Sequence, residues 1–180
     1  MTSVRKIKNI YLVGMMGAGK SSLARLIAPS FHYAVVDLDM LIVDDQKKTI
    51  NEIFSQDGES YFRAIEKRFL NRYSCRNYQV VATGGGIVLD EENIAMMKAT
   101  GIMLYLSGTV NALYEHIKDD TTRPLLLVDD PKTRLADILH TRDSLYRKAD
   151  LVVSIDGKSR DQLRDELEHS LEGKIERKEH

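Results

Sequence analysis

A glycine-rich segment near the start of the chain has the residue types and spacing that bind phosphate groups. Residues 14–21 read Gly-Met-Met-Gly-Ala-Gly-Lys-Ser and match the pattern G-x-x-x-x-G-K-[ST] without a mismatch. Glycines let the backbone turn tightly and approach a polyphosphate with no Cβ in the way. Lys20 would then reach the β- and γ-phosphates of a nucleotide, and the Ser21 hydroxyl would ligate Mg²⁺.

The elements on either side of this segment support a phosphate-binding interpretation. The short apolar run 10–13 predicts a buried strand, and residues 22–28 read as the start of a helix. In that order the loop N–H groups and the helix N-terminus face the anion. The alternative is a glycine-rich turn with a chance lysine, and the strand–loop–helix order argues against it.

Further candidate residues follow two other predicted strands. Asp37 and Asp39 end the run Val-Val-Asp-Leu-Asp, and residues 84–86 are three glycines after Val-Val-Ala-Thr. The carboxyl ends of parallel strands border the binding crevice of an open α/β sheet. If the chain is extended at 37–39, both carboxylates point the same way and could serve a metal and a polar substrate. The alternatives are a capping turn for the aspartates and a plain tight turn for the glycines.

Three arginines complete the candidate set, although each one alone reads as a surface charge. Arg63 lies beside the apolar stripe of a predicted helix, with Glu66 one turn later, so an ordinary surface ion pair is the alternative. Arg123 precedes a proline in an irregular segment, and Arg142 lies on the helix after it. Arginine suits bidentate capture of a carboxylate or stabilisation of a transferring phosphoryl group.

Composition limits the class of protein. The 180 residues suit one domain, and 26 basic against 27 acidic residues give a net charge of −1, so no field favours nucleic acid or an anionic membrane. No apolar run approaches the roughly 18 residues of a membrane span. The single cysteine, Cys75, excludes an internal disulfide and fits a reducing cytoplasm. A nucleophilic role for Cys75 has little support, since no histidine lies near it in sequence.

The pattern of apolar runs predicts the fold. Short runs separated by longer amphipathic segments indicate βαβ units, a parallel sheet and helices on both faces. The runs lie at 10–13, 34–36, 80–82, 102–106 and 151–155. Capping boxes at 49–52 and 159–162, and acidic residues at 90–92, predict helix starts. We expect Phe62, Ile65, Phe69 and Tyr73 to form the buried stripe of one helix.

Two segments depart from this pattern. Residues from about 118 to 132 are irregular and polar, which is typical of a functional or mobile segment, and we interpret them as a lid. The charged tail 172–180 is expected to fray.

Taken in order, these motifs resemble the shikimate kinase family over roughly residues 10–155. The matching stretches are G-M-M-G-A-G-K-S at 14–21, D-L-D at 37–39, I-F-x-x-x-G-E-x-x-F-R-x-x-E at 53–66, G-G-G at 84–86, R-P-L-L at 123–126 and R-x-x-x-Y-x-x-x-A-D at 142–150. The phosphate loop alone occurs in many families, whereas the ordered set is highly specific.

The resemblance implies a three-layer α/β/α fold of the nucleoside-monophosphate-kinase type, with a five-stranded parallel sheet and a mobile lid, in a single domain over 1–180. It implies transfer of the ATP γ-phosphate to the 3-hydroxyl of shikimate. The implied ATP contacts are Gly17, Ala18, Gly19, Lys20, Ser21, Ser22 and the lid residue Arg123. The implied shikimate contacts are Asp39, Arg63, Gly85, Gly86 and Arg142, with Lys20, Asp39 and Arg123 as the catalytic residues.

The same resemblance assigns Mg²⁺ to Ser21 and Asp37, the latter through water. It leaves the adenine contact open, because His116 and Lys118 stand where relatives often have an arginine, and the segment 119–122 lacks the lid glycines of many relatives. We expect a cytoplasmic monomer that binds small molecules. Two rivals remain: another small-metabolite kinase of this fold, such as a gluconate kinase, and a nucleotide-dependent switch or binding module.

Overall fold

Five parallel strands form the central sheet of the protein, in a computed structural model that describes residues 7–118 and 128–178. The sheet order is β2-β3-β1-β4-β5, so the strand that precedes the phosphate loop is central. The strands are β1 Asn9–Val13, β2 Ala34–Asp37, β3 Gln79–Ala82, β4 Ile102–Ser107 and β5 Leu151–Ser154. Each of the five apolar runs in the sequence therefore coincides with a strand to within one residue at either end, as predicted.

Burial divides these strands into central and edge strands. Every residue of β1 and β3 is buried, as expected for strands that are covered by helices on both faces. The edge strands are more open: Val35 in β2 is 41% exposed and Val152 in β5 is 45% exposed. In the sequence, the runs that form these two edge strands are mainly apolar, as are those of the central strands. The sequence pattern therefore did not show which strands lie at the edges.

Helices cover both faces of the sheet. They are α1 Lys20–Phe31, α2 Leu38–Gln46, α3 Ile50–Gln56, α4 Glu59–Ser74, α5 Glu91–Thr100, α6 Val110–Glu115, α7 Pro131–Tyr146 and α8 Arg160–Leu171, with a 3₁₀ turn at Ile87–Leu89. Both predicted capping boxes are present, at the starts of α3 and α8, and each satisfies backbone N–H groups that the first turn leaves open. Asp90 caps α5 through the N–H of Glu92.

Helix α4 shows how the apolar stripe positions a polar face. Phe62, Ile65 and Phe69 are buried and Tyr73 is partly buried, as the 3.6-residue spacing predicted. Burying each phenylalanine stabilises the fold by about 1.5–3 kcal/mol, which fixes the rotation of the helix about its axis. That rotation determines where Arg63 and Glu66 lie.

The predicted lid and the charged C-terminal tail are the two segments for which the sequence predicted irregular structure. Arg123 and most of the predicted lid lie outside the described residues, and the predicted end of the lid at 132 falls inside α7, whose first turn begins with Asp130 as its cap and Pro131. The tail was expected to fray, but Ile175 pairs with Ile7 in a parallel bridge and is buried. The reason is that one apolar residue inside the charged run packs against the core.

Within the described ranges, no helix has both the length and the apolar character needed to cross a membrane.

Candidate active site

The phosphate loop lies between β1 and α1, and its backbone conformation requires glycine. Gly17 has φ +82°, and a Cβ added there would lie 2.5 Å from the carbonyl oxygen of Leu113 at the end of α6. A side chain is therefore excluded both by the left-handed backbone and by contact with α6. The loop is held in this shape from outside the motif as well as by its own sequence.

The start of α1 is suited to an anion. Among the described residues, no side chain accepts a hydrogen bond at its N-terminus, where Gly19 is the cap residue with φ +80°. The helix dipole and the N–H groups of the first turn thus face the loop. Lys20 donates from Nζ to the carbonyl oxygens of Gly14, at 2.7 Å, and Met15, at 2.9 Å, so its ammonium group lies against the same loop.

A cavity of about 380 Å³ opens beside this loop. It is lined by all six loop residues that are expected to bind a nucleotide, residues 17–22. Its other walls come from the residues just after α6, from the segment after β5 and from α8. They include Ile155, Lys158 and Arg160, which none of the sequence motifs marked as site residues. The carboxyl ends of parallel strands share one edge of the sheet. The position of Ile155 directly after the last strand could therefore have indicated that this segment borders the binding crevice.

His116 and Lys118, the two candidates for the adenine side, are placed differently. The imidazole of His116 lines the smaller cavity, with Nδ1 2.8 Å from the carbonyl oxygen of Gly17. Since a carbonyl oxygen can only accept, Nδ1 carries the proton in this contact. Lys118 pairs with Glu115 at 2.7 Å and is not part of the cavity wall.

A second cavity, of about 880 Å³, lies on the other side of the phosphate loop. The predicted residues that line it are Ser21, Asp37, Asp39, Arg63, Gly85, Gly86 and Arg142. Four residues border both cavities: Met16, Ser21, Asp39 and Gly85. The described members of the predicted site therefore occupy two adjoining cavities whose common wall contains a hydroxyl and a carboxylate.

The two aspartates reach the larger cavity by a different route from the one predicted. We expected an extended chain at 37–39, but β2 ends at Asp37 and Asp39 lies in the first turn of α2. Asp37 caps α2 by accepting a hydrogen bond from the N–H of Met40 at 3.2 Å. The capping alternative is thus correct for Asp37, while both carboxylates still line the larger cavity.

The Arg63–Glu66 pair is not the ordinary surface ion pair that the spacing alone would suggest. Arg63 Nη1 donates to Glu66 Oε2 at 2.7 Å, and the side chain of Glu66 is 1% exposed. Arg63 also pairs with Glu59 at 3.1 Å, and its guanidinium lies 5.3 Å from the ring centre of Phe62. These contacts hold the guanidinium at the wall of the larger cavity.

Glu66, the partner of Arg63, is an unusual group because it is a completely buried carboxyl. Burial raises the pKa of its carboxyl to about 7, although Arg63 opposes the shift. Its Oε1 is buried and has no hydrogen-bond partner among the described residues. A buried carboxylate with one oxygen paired is costly, so its position depends on the neighbouring arginine.

The glycines at 84 and 86 let two charged side chains come close to the loop. A Cβ at Gly84 would lie 2.2 Å from Glu66 Oε1, and one at Gly86 would lie 2.2 Å from Arg63 Nη2. The sequence predicted that something approaches this backbone closely. The approaching groups are the protein's own carboxylate and guanidinium, which leaves the inner edge of the loop lined by charge.

Arg142 reaches the same loop from α7. It is 9% exposed, and its Nη1 donates to the carbonyl oxygen of Gly85 at 3.2 Å. Tyr146, one turn later, is completely buried and donates to the same oxygen. Glu66 and Tyr146 both belong to matched motifs, but their contacts with the predicted binding residues emerged only from the fold.

A phosphate loop on a parallel sheet shares a wall with a cavity whose lining includes Arg63, Arg142, Asp37 and Asp39. This arrangement defines a P-loop kinase of small molecules. The family model described as Shikimate kinase matches residues 16–172. A shikimate kinase of Nostoc sp. is 44% identical over 155 residues, covering 86% of this chain and 85% of that protein. The chain belongs to the shikimate kinase family.

Solved structures agree with this assignment. The shikimate kinase of Acinetobacter baumannii, in complex with shikimate, superposes with a TM-score of 0.89 at 35% identity, covering 94% of this chain and 96% of that one. A gluconokinase of Sinorhizobium meliloti gives a TM-score of 0.56 at 16% identity, covering 93% and 97% of the two chains. The second comparison shows a common fold and no more.

Proposed function

We propose that the protein transfers the γ-phosphate of ATP to the 3-hydroxyl of shikimate, giving shikimate 3-phosphate and ADP in the route to chorismate and the aromatic amino acids. One observation carries the proposal. The phosphate-loop cavity and the arginine-lined cavity share Ser21, Asp39 and Gly85. A phosphoryl donor in one cavity and a hydroxyl acceptor in the other would meet at these residues.

ATP is assigned to the smaller cavity. The N–H groups of residues 17–22 and the start of α1 would bind the phosphates, and Lys20 would turn from the carbonyl oxygens of Gly14 and Met15 toward the β- and γ-oxygens. Arg123, on the lid, would add a second positive charge as the phosphoryl group transfers. Closure of the lid would exclude water and so limit hydrolysis of ATP.

Mg²⁺ fits two residues that line the larger cavity, Ser21 of the common wall and Asp37. Ser21 and Asp37 supply oxygen ligands, which this cation prefers. The described residues contain no cluster of three or more acidic, histidine or cysteine side chains. A site of this kind suits Mg²⁺ bound mainly by phosphate oxygens and water, with Ser21 as a direct ligand and Asp37 acting through water. When bound, the ion would neutralise charge on the phosphates.

Shikimate is assigned to the larger cavity through its carboxylate. Arg63 and Arg142 would bind the carboxylate together with the backbone of Gly85 and Gly86, and this would fix which hydroxyl faces the common wall. Asp39 would accept a hydrogen bond from the 3-hydroxyl and take up its proton as the oxygen–phosphorus bond forms. Positioning and charge neutralisation, rather than covalent catalysis, would lower the barrier.

The two rival functions lack comparable support. A gluconate kinase of this fold would not need two arginines placed for a ring carboxylate beside three glycines. A guanine-nucleotide switch would carry an N-K-x-D or T-K-x-D motif, and the sequence has neither. The near-neutral net charge of −1 and the single cysteine also fit the cytoplasmic monomer that we propose.

A substrate panel tests the proposed function. Purified protein with ATP and Mg²⁺ is offered shikimate, methyl shikimate or gluconate, and ADP release and phosphorylated product are measured. We expect turnover with shikimate, and a much higher KM for the methyl ester, which keeps the hydroxyls but lacks the negative charge. Equal use of gluconate, or nucleotide binding with no transfer to shikimate, would contradict the proposal.

A further inference from the structure

The hydroxyl of Tyr146 is a buried polar group for which the proposed reaction has no role. The residue ends α7, is completely buried and donates to the carbonyl oxygen of Gly85. Its Oη also lies 3.5 Å from Met15 Sδ in the phosphate loop. Burial raises the pKa of Tyr146 to about 12, so the hydroxyl keeps its proton and remains a donor at neutral pH.

Two donors from one helix face converge on a single oxygen. Arg142 and Tyr146 are one turn apart on α7 and therefore lie on the same face. Arg142 Nη1 donates to the Gly85 oxygen at 3.2 Å, and the Tyr146 hydroxyl donates to it as well. The carbonyl of Gly85 has two lone pairs, and these two bonds fix its direction.

The direction of that carbonyl fixes the next N–H group. A trans peptide is planar, so the N–H of Gly86 points opposite to the oxygen of Gly85. No described residue accepts a hydrogen bond from the N–H of Gly86, and Gly86 lines the larger cavity. On the other side, the guanidinium of Arg63 rests against the Cα of Gly86, where a Cβ would be 2.2 Å from it. The Gly85–Gly86 peptide thus lies between the two arginines.

We propose that Tyr146 is a positioning residue for the acceptor substrate: its hydroxyl holds the Gly85–Gly86 peptide so that the Gly86 N–H and the two arginines converge on one carboxylate. This inference deepens the proposed function and rests on it. Tyr146 touches neither substrate. It acts through the backbone of the glycine loop, and its effect falls on shikimate rather than on ATP.

The ring of Tyr146 is held in place by packing, so its hydroxyl has a fixed position. It stacks on Tyr105 of β4 with ring centres 5.0 Å apart and an interplanar angle of 23°. Tyr105 is also buried, and its own hydroxyl donates to Asp143 Oδ1 at 2.8 Å. Both tyrosines are therefore buried, stack on each other and carry a hydrogen-bonded hydroxyl, but only the hydroxyl of Tyr146 bonds to the glycine loop.

The test compares Tyr146→Phe with Tyr105→Phe. Each substitution removes one buried hydroxyl and keeps the ring. We expect Tyr146→Phe to raise the KM for shikimate about three- to tenfold, as the loss of one hydrogen bond allows, with less than about twofold change in kcat and in the KM for ATP. Tyr105→Phe should leave the KM for shikimate within about twofold, even if both variants lose similar thermal stability.

A double-mutant cycle with Arg142→Ala separates positioning from general destabilisation. If Tyr146 acts through the loop that holds Arg142, the effect of Tyr146→Phe on shikimate binding should shrink in the Arg142→Ala background. Additive effects, equal rises in both KM values, or an unchanged KM for shikimate in Tyr146→Phe would overturn the inference. Failure of the wild-type protein to phosphorylate shikimate would instead remove the proposed function, and the inference with it.

Discussion

The smaller cavity, assigned above to the nucleotide, and the larger cavity, assigned to shikimate, differ in how much of the chain contributes to their walls. We call them the nucleotide cavity and the shikimate cavity after these proposed assignments. One side of the nucleotide cavity is the continuous run 17–22, and its expected ligands are mainly backbone N–H groups. The other cavity takes Asp39 from α2, Arg63 from α4, Gly85 and Gly86 from the loop after β3, and Arg142 from α7. A site built from one local segment can be read as a motif, whereas a site built from four segments exists only after folding.

The two cavities also differ in what holds their charged groups. Lys20 contacts carbonyl oxygens five and six residues before it, within its own loop. Arg63 is held by the buried carboxyl of Glu66, and Arg142 is held by the carbonyl oxygen of Gly85 in the loop after β3. We therefore expect damage to the nucleotide cavity to be local, and damage to the shikimate cavity to extend to neighbouring groups.

The largest expected effect is in the nucleotide cavity. Lys20→Ala should lower kcat by about 100- to 1000-fold, because the variant loses a positive charge aimed at the developing charge of the phosphoryl group. The fold should survive, since Lys20 faces the loop and not the core. Steady-state kinetics and circular dichroism check both points, with Lys67→Ala, a surface lysine of α4 paired with Asp90, as the control. Near-normal turnover in folded Lys20→Ala would contradict the mechanism.

A smaller effect should distinguish the two cavities directly. Arg63→Ala and Arg142→Ala should each weaken shikimate binding by about 1.5–3 kcal/mol, the range for a hydrogen bond to a charged group, with much less effect on ATP. Titration calorimetry with each ligand measures the two affinities. Arg68→Ala is the control. Arg68 lies on α4, like Arg63, but its partner is the surface residue Asp45, so its loss should change neither affinity. Equal losses for shikimate and ATP would show that the assignment to one cavity is wrong.

The last expected effect is on the stability of the protein rather than on its activity, and it concerns Glu66. The unfolded chain releases this proton near the ordinary pKa of 4.5, whereas the folded protein keeps it to about 7. Between these values the native state binds more protons, so the contribution of Glu66 to stability is present at low pH and is lost as pH rises through about 7. Glu66→Gln removes this titration.

Denaturant unfolding from about pH 5 to about pH 8 measures the Glu66 contribution. The free energy of unfolding of wild type minus that of Glu66→Gln should fall as pH rises, by up to about 3 kcal/mol. Glu59→Gln, which alters the exposed partner of Arg63, is the matched control. A flat difference for Glu66→Gln would mean that Glu66 is ionised across the whole range.

Much of the fold could be predicted because its signals are local. The runs at 10–13 and 80–82 became central strands, and the capping boxes at Thr49 and Ser159 started α3 and α8 as expected. The aspartates show the limit of local reasoning. The spacing of Asp37 and Asp39 was interpreted with the period of a strand, but α2 begins at Leu38, since the Asp37 carboxylate satisfies the N–H of Met40. The candidate role of Arg123 lies outside the described residues and stays a prediction.

The sequence by itself determined the phosphate loop, the parallel α/β class and the family, because each depends on residue types at fixed short spacing. Tertiary structure alone decided the strand order, the burial of Glu66 and the meeting of Arg142 and Tyr146 at Gly85. The physical reason is distance along the chain. Contacts between residues 57 or more positions apart form only when the packing of α4 and α7 against the sheet brings them together.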